Sequence, residues 1–113
     1  MGPGADNGDG EAVGALSIVA VEREGSTAIV VAGELDSFTA ESVRNAVAAV
    51  GSGDVLLDLE GVRFIDSSGL ASIIESHMYL NERERRLVVG PRSPVVQRLL
   101  DLTGVHEALD QPS

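Results

Sequence analysis

Asp66-Ser67-Ser68-Gly69 holds the residues of this chain best placed for chemistry. The stretch follows Gly61-Val62-Arg63-Phe64-Ile65 and leads into Leu70. Two adjacent hydroxyls stand beside a carboxylate and a glycine, where an apolar run gives way to a helical pattern. A helix start offers unpaired N–H groups and the positive end of the helix dipole, and both favour an anion. Two readings follow. In one, Asp66, Ser67 or Ser68 caps the helix, contributing about 1 kcal/mol, and Gly69 permits close packing. In the other, Ser67 is a phosphoacceptor. Phosphate adds about −1.5 to −2 charges, next to an aspartate that is already anionic. A partner docked against a neutral hydroxyl would then meet concentrated negative charge.

Other chemistries fit less well. Ser67 is not flanked as Gly-x-Ser-x-Gly. Only His77 and His106 could serve it as bases, and His77 lies seven residues after Leu70, on or near an apolar helix face. A packed histidine is expected there rather than a hydrolase base. No metal-ligand spacing links the histidines to carboxylates. The chain has no cysteine, so disulfides, thiolate catalysis and thiolate metal sites are excluded. It also has no lysine, all eight basic residues being Arg. That excludes a P-loop and Schiff-base chemistry. It also argues against Asp58 as the phosphoaspartate of a receiver domain, a family that relies on a lysine. Asp6-Asn7-Gly8-Asp9-Gly10-Glu11 lacks the ligand spacing and flanking helices of a calcium loop. No cofactor is expected.

The elements that must position Ser67 can be read from periodicity. The 113 residues suffice for one domain, and a hydrophobic fraction of 43% supplies a core of Val, Leu, Ile and Ala. Residues 1–14, rich in Gly and acid, read as a disordered tail, with one domain from 15 to 113. Strands are expected over Leu16–Val21 and Ala28–Ala32, turning at Glu24-Gly25. Gly33-Glu34-Leu35-Asp36 should break the second. A helix from about Phe38 to Val50 carries Val43, Ala46, Val47 and Val50 on one stripe, with Asp36, Ser37 or Thr39 as possible caps. A third strand, Val55–Leu59, precedes a loop from Glu60 to Asp66. The second helix runs from Ser67 or Ser68 to Asn81 and buries Leu70, Ile73, Ile74 and Met78. A fourth strand covers Leu87–Val89. Ser93-Pro94 opens a third helix that buries Val95, Val96, Leu99 and Leu100 and ends at Gly104. The result is an α/β fold of order β-β-α-β-α-β-α: a mixed sheet of four to five strands packed with helices.

The net charge of −10 argues against nucleic acid or an anionic membrane as partner and suits docking on a basic protein surface. No apolar run is long enough to span a membrane, and no signal-peptide pattern opens the chain. A cytoplasmic protein, monomeric by default, is expected.

Two blocks give the chain its family likeness. Gly33-Glu34-Leu35-Asp36, with Thr39-Ala40, and Gly61 to Leu70 resemble the STAS-domain family, specifically its stand-alone anti-sigma factor antagonists. Ser93-Pro94-Val95-Val96-Gln97-Arg98-Leu99-Leu100, with Leu102-Thr103-Gly104, is a weaker third match. The resemblance covers about residues 16 to 105. It implies a non-catalytic switch that binds an anti-sigma factor, itself a GHKL-type serine kinase, and so frees a sigma factor. It implies that the kinase phosphorylates Ser67 and that a serine phosphatase resets it. By the same resemblance Asp66, Ser68 and Gly69 shape the phosphosite, and Glu34, Leu35 and Asp36 join the docking surface. Asp36 as a helix cap stays open. Arg63 and Phe64 flank the interface, or else are a solvated arginine and a core phenylalanine. The rival within the fold is a STAS scaffold, or a soluble subunit of a lipid or anion transport complex.

Overall fold

The structure, a computed structural model, describes residues 11–13, 16–105 and 109. Its elements are β1 (Glu11–Val13), β2 (Leu16–Arg23), β3 (Ser26–Leu35), α1 (Ala40–Ala49), β4 (Asp54–Ile65), α2 (Ser67–Asn81), β5 (Leu87–Arg92) and α3 (Pro94–Thr103). The strands form one mixed sheet in chain order. The pairs β1–β2 and β2–β3 are antiparallel, and β3–β4 and β4–β5 are parallel. From β2 onward the order is the expected one. Glu11–Val13 corrects the proposed extent of the tail: these residues pair with Leu16–Ile18 as an edge strand. The rest of the tail, including the residues weighed as a calcium loop before Glu11, lies outside the described residues, as does His106.

Alternation explains the sheet. Ile18 pairs with Val31, Ile29 with Leu57 and Leu57 with Val89, and all are buried. Side chains in register share one face. On it Leu16, Val55, Leu59 and Leu87 complete a core with Val43 and Val47 of α1 and Leu70, Ile73 and Leu80 of α2. The opposite face keeps Val19, Val21 and Val88 exposed. The side chain of Arg85 reaches across to α1's end, its Nε donating to Gly53 O at 2.8 Å and its Nη2 to Val50 O at 2.9 Å. The cap carbonyl of α1 and a carbonyl of the loop that follows it are thereby satisfied. No helix among the described residues is long and apolar enough to cross a membrane.

Three differences from expectation bear on the site. The strand β3 does not break at Gly33 but runs to Leu35, and Gly33 adopts a φ of 111° that suits glycine. Residues 60–65, expected as loop, extend β4 through two register shifts opposite β3, between Val30 and Ala32 and between Gly33 and Glu34. At the first, Asp58 Oδ1 accepts from Glu60 N–H at 3.1 Å. The second leaves Arg63 without a β3 partner. Each shift reverses the in–out alternation, which hides the strand from a period-of-two search. Third, Met78 and Val95 are exposed rather than buried. Leu70 and Ile73 of α2 are buried as expected, and Gly69, Ser72, Ser76 and Leu80 are buried with them, where small residues permit close approach.

Candidate functional site

The site is built where β3 and β4 end side by side. Glu34 pairs with Phe64 and Leu35 with Ile65. The next residues, Asp36 and Asp66, leave the sheet together. Asp66 N–H donates to Leu35 O at 3.2 Å, joining the two sequence blocks through the backbone.

Asp66 is the N-cap of α2. Its backbone is extended, and its Oδ1 accepts from Gly69 N–H at 3.0 Å. The aspartate therefore takes the capping role that either serine could have taken. Ser67 is exposed, and among the described residues no hydrogen bond engages its hydroxyl. Ser68 is half-buried, and Gly69 is buried with no room for a Cβ. So the four residues divide their work: Asp66 fastens the helix start, Gly69 seats it against β3, and Ser67 is left presenting a free hydroxyl at the positive end of the dipole.

The turn before α1 is tied down with equal care. Asp36 Oδ1 accepts from Phe38 N–H at 2.9 Å and Thr39 N–H at 3.2 Å. Thr39 Oγ1 accepts from Asp36 N–H at 2.9 Å and donates to Glu34 O at 2.8 Å. Thr39 is buried although polar, which fits its full set of partners. Asp36 thus organises the turn ahead of α1, whose N-cap position is Thr39 with no side-chain cap. The helix begins at Ala40, two residues later than periodicity placed it.

The other candidates separate by exposure. Glu34 and Asp36 are partly exposed, but Leu35 is fully buried in the core, so it positions the loop and presents no side chain outward. Arg63 is exposed. Phe64 is 48% exposed, which overturns its reading as a core residue. Phe38 is 87% exposed, directly after Asp36-Ser37, and sequence reading gave it no role at the site. An aromatic side chain inside an otherwise polar turn was the signal available. Leu102, part of the weaker third block, is 72% exposed on α3. His77 is half-buried, with its Nδ1 enclosed and lacking a hydrogen-bond partner, and no group of three metal-ligating side chains gathers among the described residues.

Comparison with known proteins matches this framework. The family described as "Mlab, STAS domain" matches residues 19–110. The anti-sigma-B factor antagonist of Listeria monocytogenes is 36% identical over 85 residues, covering 73% of this chain and 75% of its own. The crystal structure of an anti-sigma factor antagonist from Mycobacterium paratuberculosis superposes with a TM-score of 0.71 at 27% identity, covering 82% of this chain and 81% of that one. The Bacillus cell fate determinant SpoIIAA, solved in its phosphorylated form, shares the fold with a TM-score of 0.64 at 20% identity, covering 80% of this chain and 86% of that one. The chain therefore belongs to the STAS-domain family, among the anti-sigma factor antagonists.

Proposed function

We propose that this protein is a non-catalytic partner switch of the cytoplasm. It binds an anti-sigma factor that is also a GHKL-type serine kinase, releases the sigma factor, and is turned off when the kinase phosphorylates Ser67. A serine phosphatase restores it. The observation that carries this reading is the exposed Ser67 hydroxyl with its neighbour Asp66 already spent on the cap. Such a hydroxyl can be modified without removing any hydrogen bond that holds the fold.

The electrostatics give the switch its direction. Asp66 is adjacent, and Leu35-Asp36 lies across a backbone hydrogen bond. A phosphate on Ser67 adds about −1.5 to −2 charges to this corner. Helix N–H groups can hold it without unfolding the domain. A surface complementary to a neutral hydroxyl then faces added bulk and an unpaired dianion. Loss of affinity follows from repulsion and desolvation rather than from unfolding.

Incubation with the anti-sigma kinase and ATP, followed by mass spectrometry, should place one phosphate on Ser67. Ser67→Ala should keep binding and resist switching off, and Ser67→Glu should bind more weakly. Phosphate on Ser68 or nowhere, or equal binding of the modified and unmodified forms, would overturn the reading.

A further inference from the structure

We propose that the groove between the end of β4 and α3 receives an acidic amphipathic segment of the anti-sigma factor, a second contact beside Ser67. This rests on the reading above and adds the chemistry of the partner. The groove has a volume of about 240 Å³ and is lined by Arg63, Phe64 and Ile65 from β4 and by residues of α3 that include Val95, Arg98 and Leu102. Ile65 lies two residues before Ser67, and its Cγ1 would stand 3.0 Å from a Cβ at Gly69, so one groove residue borders the start of α2.

Charge decides the occupant. The protein carries a net −10, yet among the described residues each charged side chain lining the groove is an arginine. No carboxylate forms an ion pair with Arg63 or Arg98 among the described residues. Asp101, one turn beyond Arg98, accepts instead from Gln97 Nε2 at 2.8 Å. The backbone also favours an outward role for Arg63, which occupies the register shift of β4 and is exposed. Bulges commonly re-aim a side chain in this way.

The apolar part of the groove is equally one-sided. Phe64, Val95 and Leu102 are 48%, 40% and 72% exposed, while Ile65 and Leu99 pack onto the core beneath them. Solvent-facing apolar side chains rimmed by two cations fit a helix that carries apolar anchors with acidic residues beside them. A nucleic acid would demand a basic surface without these apolar anchors, and the overall charge opposes it.

The test titrates the anti-sigma factor of the same organism against wild-type protein, the double variant Arg63→Glu/Arg98→Glu and Leu102→Ala, at several salt concentrations. The double variant should bind about tenfold or more weakly, with slower association and a flatter salt dependence. Leu102→Ala should weaken binding without changing the salt dependence. Unchanged thermal melting would show that the fold is intact, and Arg98→Gln alone substitutes if the double variant does not fold. If the wild type binds and the double variant binds equally well, the groove assignment fails and the Ser67 switch stands. If the wild type binds no anti-sigma factor, both fail. Self-association of the wild type by sedimentation, lost in the double variant, would assign the groove to a second copy of this chain and overturn the proposal.

Discussion

Gly69 lies so close to Leu35 that a Cβ at position 69 would stand 2.5 Å from the Leu35 carbonyl oxygen and 2.8 Å from Leu35 Cγ. That same oxygen accepts the Asp66 N–H. One carbonyl therefore holds the end of β3, the cap of α2 and the first turn of α2 together. The turn after β3 and the start of α2 cannot shift independently while this contact stands.

Gly69→Ala should accordingly destabilise the fold although alanine is the better helix former. The neighbour at 2.5 Å is backbone and cannot swing aside, and Ile65 Cγ1 would lie at 3.0 Å. Overpacking of this kind costs about 1–3 kcal/mol. Urea unfolding followed by circular dichroism would measure it. A variant as stable as the wild type would show that the two blocks are not so tightly joined.

Thr39→Val tests the other side of the same loop. The substitution nearly preserves volume but removes the hydroxyl that bridges Asp36 N–H and Glu34 O. Both groups would lose a partner in a part-buried setting, at a cost of about 1 kcal/mol. Hydrogen exchange at the Asp36, Phe38 and Thr39 amides should rise with the loss in stability. Unchanged exchange would mean that the Asp36 carboxylate alone holds the turn.

Phe38→Ala should leave stability almost untouched, because the ring is 87% exposed. Its effect should appear in binding. Interfaces draw most of their affinity from a few anchors, often aromatic, and truncation of such an anchor weakens binding about tenfold or more. Isothermal titration against the anti-sigma factor reads this directly, with thermal melting as control. Equal affinity in both proteins would remove Phe38 from the docking surface.

Much of the frame was legible before any coordinates. The start of the second helix, at Ser67 or Ser68, and the Ser93-Pro94 opening of the third are written in local chemistry: an aspartate before two serines, and a serine before a proline. Gly104 closes α3 in the left-handed conformation, with φ of 72°. Caps act over three or four residues, so sequence carries them almost whole. Residues 60–65 were not legible as strand, because two register shifts scramble their alternation. Pairing with a distant strand decides such a segment, and no short window contains that partner.

Composition and local spacing by themselves determined a charge balance hostile to nucleic acid, the absence of thiol and lysine chemistry, the helix ends and the blocks that mark the family. Only the tertiary structure decided how roles divide within those blocks. It left Ser67 exposed, buried Leu35, and exposed Phe38, Phe64 and Leu102. The reason is physical. A cap or a turn is set by neighbours along the chain, whereas exposure depends on which distant elements come to lie on top. Phe64 and Val62 differ little as sequence, yet one faces solvent and the other the core, because of where β4 slips against β3.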